Sequence, residues 1–150
     1  MKILIINGPN LNMTGTRQPE IYGHVTWEKF MDALEKKYHG SGVEISYFQS
    51  NSEGAIIDAI QQAHDEEDFA GLVINPGAYA HYSLAIADAL AGVDYPCIEV
   101  HISNIMAREP ERHRCVTAAS CRSMICGLGL DGYIVAIDAL RQMYKGGQPV

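Results

Sequence analysis

Lys2-Ile3-Leu4-Ile5-Ile6-Asn7 opens the chain with four consecutive branched aliphatic residues, and Gly8-Pro9 stops the run. Apolar residues on successive rather than alternate positions indicate a strand covered on both faces, as in a parallel sheet. Comparable stretches follow at 43–49, 71–75, Cys97–His101 and 123–128. Between them lie helical patterns at 26–38, 52–63, 81–90 and 132–144, with apolar residues at i, i+3 and i+4, as in Phe30, Ala33 and Leu34. Ser52 is a fair N-cap, whereas Thr26 with Lys29 lacks a full capping box. Strands alternating with helices build βαβ units. The expected fold is therefore α/β: a doubly wound, five-stranded parallel sheet of flavodoxin-like order 2-1-3-4-5, with helices on both faces.

The 150 residues form one expected domain, 1–150, long enough to bury about 70% of the surface its unfolded form exposes. A composition of 47% apolar and 19% charged residues, with 14 Gly and 6 Pro, excludes collagen-like and disordered classes. The longest apolar runs fall short of the roughly 18 residues a membrane span requires. Four apolar residues before Asn7 make too short a core for a secretory signal, so a cytoplasmic location is expected. A net charge of −7 disfavours nucleic acid and anionic membranes as partners. Cys97, Cys115, Cys121 and Cys126, spaced 18, 6 and 5 apart, match neither a zinc knuckle nor a redox dithiol. They are expected to be reduced and mostly packing.

Two segments lack periodicity. Residues 8–23 form a loop of a length usually kept for lids and binding loops. Residues 103–119 hold Arg108, Arg112, His113 and Arg114, a basic cluster that points to a local anion site in an acidic protein. In doubly wound sheets ligands sit beyond the strand C-termini at the switch point, which here selects 7–12 and 75–81.

Several motifs compete. Gly127-Leu128-Gly129-Leu130-Asp131-Gly132 spells a dinucleotide fingerprint, but the chain lacks the following strand and acidic residue, so tight turns and close helix packing are the better reading. Met13-Thr14-Gly15-Thr16 after the first strand could cradle a flavin phosphate, making an FMN-binding electron-transfer module the main non-enzyme alternative. A receiver domain fails because Asn7 and Asn75 stand where acidic residues would hold Mg²⁺. Cys97, Glu99, His101 and Ser103 alternate and so share one face of an extended strand. They could be metal ligands, Glu99 could orient His101 for proton transfer, or His101 could merely cap the sheet. Arg17 and Tyr22 share the long loop, where the guanidinium would favour tyrosinate. Lowering a Tyr from about 10 to about 8 requires roughly 2.7 kcal/mol, within reach of one close Arg in a water-poor site. The plainer alternative is a packed ring beside a solvated Arg17.

Taken together, Asn7-Gly8-Pro9-Asn10-Leu11-Asn12, Arg17-x-Pro19-x-x-Tyr22-Gly23, Ile74-Asn75-Pro76-Gly77-Ala78-Tyr79-x-His81, Glu99-Val100-His101-x-Ser103-Asn104 and Arg108-Glu109-x-x-Arg112-His113 closely resemble type II 3-dehydroquinate dehydratase. The likeness runs through nearly the whole chain, in order. It implies a lyase that needs neither cofactor nor metal and removes water from 3-dehydroquinate to give 3-dehydroshikimate by anti elimination through an enolate. This step serves the shikimate pathway of aromatic amino acid biosynthesis, or quinate catabolism. By resemblance, Tyr22 takes the C2 proton, Arg17 keeps it ionised on a closing lid, and Asn10 helps hold a water that stabilises the enolate. His101, oriented by Glu99, protonates the departing C1 hydroxyl. Asn75 with the amides of Ile102 and Ser103 holds the substrate carboxylate, and His81 with Arg112 holds the ring hydroxyls. Asp88 resembles the residue that reaches a neighbouring subunit's site in a dodecamer built from trimers.

The chain departs from the family pattern at Cys115-Val116-Thr117-Ala118-Ala119-Ser120-Cys121-Arg122, where a Ser-rich stretch is expected, and at Gln18 and Tyr82. The first departure is expected to affect subunit contacts and the pocket rim rather than the chemistry. Lys2, Lys29, Lys36, Lys37 and Lys145 all lie outside the motifs, which disfavours a Schiff-base mechanism.

Overall fold

The computed structural model describes residues 1–16 and 24–146. Five strands, β1 (Lys2–Asn7), β2 (Glu44–Gln49), β3 (Phe69–Asn75), β4 (Cys97–His101) and β5 (Ser123–Cys126), pair in parallel in the order β2-β1-β3-β4-β5. Four helices connect or follow them: α1 (Trp27–Tyr38), α2 (Glu53–Gln62), α3 (Leu84–Ala91) and α4 (Asp131–Gly146). The expected topology is the observed one.

The consecutive aliphatic runs are explained by two apolar layers. Ile3, Ile5, Val73, Ile98 and Val100 face Trp27, Phe30 and Leu34 of α1 and Tyr133, Ile137 and Leu140 of α4. Ile6, Leu72, Ile74 and Cys97 face Ile56 and Ile60 of α2 and Ile86 and Leu90 of α3. The three central strands β1, β3 and β4 thus bury both faces, and each fully buried Ile or Leu contributes about 1.5–3 kcal/mol. Among the described residues no helix is long and apolar enough to cross a membrane.

Local chemistry trims the expected boundaries. The fifth strand stops at Cys126 rather than 128 because Gly127 takes φ +85°, a left-handed conformation that ends the pleat. Residues 77–81 form a 3₁₀ turn, and α3 begins only after Ser83, whose hydroxyl accepts the Ile86 N–H. Thr26 and Ser52 cap α1 and α2 by accepting from Lys29 and Ala55.

Candidate active site

At the C-terminal edge of the sheet, Asn7 and Asn75 stand opposite each other in register, and the loops that follow them pack without room for a side chain between them. A Cβ on Gly8 would collide with the Pro76 carbonyl, which accounts for glycine there. Asn10 adopts φ +69° and donates its N–H to Asn51 Oδ1 at 3.0 Å. The resulting cleft is lined by Asn10, Asn75, His81, His101, Ile102, Ser103, Arg108 and Arg112, among others. This is the switch-point position expected from the strand order. The described lining carries two arginines and no carboxylate or lysine, so it suits an anionic ligand and offers no amine for a Schiff base.

Glu99 and His101 share one face of β4, as their alternation requires. Glu99 is fully buried, and a buried carboxylate must be paired and hydrogen-bonded. Its Oε1 lies 2.7 Å from His101 Nε2, and its Oε2 accepts the Thr117 hydroxyl at 2.6 Å. The carboxylate therefore fixes the imidazole's orientation and leaves Nδ1 as the nitrogen not committed to Glu99. His81 stacks beside His101 with ring centroids 6.0 Å apart, its Nδ1 2.8 Å from the Arg114 carbonyl. Burial pulls its pKa below the ordinary 6.5, helped by the nearby His101 and Arg112 charges and opposed by the carbonyl contact. Neutral His81 then donates from Nδ1 and keeps Nε2 as its other ring nitrogen.

Asn75 is held at both ends of its amide. Its Oδ1 accepts the Gly77 N–H at 3.1 Å, while its Nδ2 donates to the Tyr133 hydroxyl at 3.0 Å. Tyr133, fully buried in α4, donates in turn to Asn7 Oδ1 at 2.8 Å. One amide proton of Asn75 is left for a ligand. Ile102 and Ser103 follow β4 directly and line the cleft. Arg112 Nε binds Glu109 Oε1 at 2.6 Å, and this contact, with a smaller contribution from Arg108, holds the Glu109 carboxyl below its usual range.

Two expected site residues, Arg17 and Tyr22, lie outside the described residues, as does Gln18. Asp88 is exposed on α3 and is absent from the cleft lining. The flavin alternative loses its phosphate cradle. The Thr14 hydroxyl donates to the Leu11 carbonyl and that of Thr16 to Met13. Gly127 and Gly129 take positive φ, and a Cβ on Gly132 would lie 3.2 Å from Val100, so this motif serves turns and helix packing.

The 115–122 stretch corrects an expectation. It reaches past the rim to the buried pair: the Thr117 hydroxyl donates to Glu99, and Cys115 Sγ lies behind the cleft, 3.8 Å from both His81 Nδ1 and His101 Nε2. Burial, then the Glu99 charge, pushes the Cys115 thiol up to about 12. Cys97 packs in the core as expected, and burial raises it too to about 12. The sequence pattern thus pointed to the wrong thiol as neighbour of His101. Spacing carries no sign of Thr117 or Cys115, and Tyr133 reads only as an apolar helix position.

Residues 1–141 match the family model described as Dehydroquinase class II. The chain belongs to this family. It is 53% identical to a 3-dehydroquinate dehydratase of Lachnoclostridium phytofermentans over 97% of this chain and 100% of that relative. Among solved structures, a type II dehydroquinase from Butyrivibrio crossotus superposes with a TM-score of 0.90 at 51% identity, covering 94% of this chain and 97% of the other. A type II dehydroquinase from Propionibacterium acnes gives 0.86 at 43% identity, with 96% of each chain covered. As a class II dehydroquinase, the chain presents His101 in the wall of an anion-suited cleft with Glu99 buried behind it, and both residues fall within the matched range.

Proposed function

We propose that this chain dehydrates 3-dehydroquinate to 3-dehydroshikimate as a hydro-lyase without a cofactor, and that the residues around the β4 cleft carry the reaction. The observation that carries the reading is the Glu99–His101 pair, buried at the edge of a cleft with two arginines in a chain of this family. The substrate is a carboxylate with ring hydroxyls and a ketone, and the cleft's donors suit each part. Asn75 and the amides of Ile102 and Ser103 take the carboxylate. His81 and Arg112 take the hydroxyls, the Arg112 fork being always charged.

Elimination needs a base at C2 and an acid at the C1 hydroxyl, on opposite faces for an anti course. The Tyr22 phenolate, kept ionised by Arg17, removes the C2 proton, and the electron pair moves into the C3 ketone to give an enolate. A water held by Asn10 donates to that oxygen as charge develops. As the enolate collapses, the C1–O bond breaks and protonated His101 delivers its proton to the departing hydroxyl, which leaves as water. Glu99 holds His101 on the correct nitrogen throughout. Asp88, exposed on α3, would complete the site of a neighbouring copy in a dodecamer of trimers, and the enzyme works in the cytoplasm.

Tyr22→Phe tests the base assignment. Removing a group that acts in the transition state lowers kcat by orders of magnitude and leaves substrate binding nearly unchanged. Equal activity in the variant refutes the role.

A further inference from the structure

The groups behind the cleft include one that the elimination does not use. Cys115 Sγ sits 3.8 Å from His101 Nε2 and 3.8 Å from His81 Nδ1, and Glu99, His101 and Cys115 offer ligand atoms all within 4.8 Å of one another. A tetrahedral site with a metal–sulfur bond of about 2.3 Å and metal–nitrogen bonds of about 2.0 Å has sulfur–nitrogen edges of about 3.5 Å. Both edges from Cys115 are therefore already within a few tenths of an ångström of the bound spacing. The 2.7 Å separation of His101 Nε2 and Glu99 Oε1 must widen by about 0.6 Å as a metal replaces the proton between them, and His81, which lies outside that 4.8 Å group, must swing its Nδ1 inward from the Arg114 carbonyl.

We propose that Cys115, His101, Glu99 and His81 form a site for a thiophilic divalent cation such as Zn²⁺, and that its occupancy reversibly switches the dehydratase off. The ligand set is mixed sulfur, nitrogen and oxygen, which suits zinc over magnesium or calcium. Charge also balances in this buried place: one thiolate and one carboxylate offset the dication, and the two imidazoles stay neutral. On binding, the Cys115 proton leaves to solvent, and the proton on His101 Nε2 moves to Nδ1. His81 gives up its contact with the Arg114 carbonyl, and its proton moves from Nδ1 to Nε2 so that Nδ1 can bind the ion. Metal-bound His101 can no longer become the doubly protonated acid, and His81 is turned from the ligand. The two rings line the cleft, which gives the ion its entrance.

The inhibition readout rests on the dehydratase reading, whereas the spectral one does not. With metal-stripped full-length protein, Zn²⁺ is expected to abolish dehydration and a chelator to restore it. Co²⁺ is expected to produce a thiolate-to-metal charge-transfer band together with tetrahedral d–d bands. Cys115→Ser, which keeps a small hydroxyl beside His101, is expected to retain dehydration and to raise the half-inhibiting Zn²⁺ concentration at least about tenfold, with loss of the cobalt thiolate band. His64→Gln, which removes an exposed imidazole paired with Asp94, is expected to change neither. Activity indifferent to Zn²⁺, or inhibition undiminished in Cys115→Ser, overturns the proposal. So does the absence of a thiolate band in the parent protein, whatever the variants do. Protein that shows the band with Co²⁺ yet no dehydration when metal-stripped retains this site and refutes the activity reading instead.

Discussion

Tyr133→Phe removes one oxygen atom from the core and leaves the ring's shape intact, which isolates a single polar relay. In the parent that hydroxyl donates to Asn7 Oδ1 at 2.8 Å and accepts from Asn75 Nδ2 at 3.0 Å, with no solvent exposure. Its loss strands one acceptor and one donor where water does not reach. Each stranded group costs about 1–3 kcal/mol, offset in part because the Phe ring need not be desolvated of a hydroxyl. We expect a net destabilisation of about 2–4 kcal/mol, which lowers Tm by about 5–15 °C for a chain of this size. Function should change in a distinct way. The Asn75 amide loses one of its two anchors and keeps only the Gly77 contact, so the carboxylate end of the substrate is held less firmly. KM should rise about tenfold while kcat changes little, because Asn75 touches no reacting bond. Thermal unfolding and steady-state dehydration kinetics on the same sample measure both. A Tm within about 2 °C of the parent with unchanged KM refutes the relay. A kcat loss at constant KM would place Tyr133 in the chemistry instead.

Two other expectations follow from the buried pair and its neighbour. Thr117→Val deletes the donor to Glu99 Oε2, a hydrogen bond to a charged group worth about 1.5–3 kcal/mol, so kcat should fall about tenfold to a hundredfold, with Thr117→Ser restoring most of it; a kcat within about twofold of the parent contradicts the assignment. Because burial holds His81 below 6.5, the unfolded chain binds its proton first as pH falls, and folding stability should decline from near that value down through the lower folded pKa. Denaturant melts between about pH 8 and about pH 5 should show that decline shrink in His81→Gln, and an identical profile in the variant would remove the cause given for it.

Much of this architecture is legible in the chain because burial on two faces leaves a one-dimensional trace. Ile3 to Ile6 and Leu72 to Ile74 are apolar at every position since α1 and α4 cover one side and α2 and α3 the other. Glu99 and His101 are legible for a related reason, as residues two apart on a strand share a face. Where the reading slipped, the cause lies in backbone choices that apolar pattern does not encode. Gly127 ends β5 by its left-handed φ, and Ser83 starts α3 late by capping Ile86. Long-range polar contacts leave even less trace. Thr117 reaches Glu99 across 18 positions and two 3₁₀ turns, and Tyr133 reaches Asn7 across 126. The same distance hid Cys115, which the fold returns to the His101 side while Cys97, nearer in sequence, stays in the core.

The most direct test mixes metal-stripped protein with 3-dehydroquinate and follows the ultraviolet absorbance of the conjugated enone, with His101→Ala alongside. The account predicts a rise that persists in the presence of chelator and is lost in the variant. No rise from folded protein, or a rise of equal rate in His101→Ala, contradicts it.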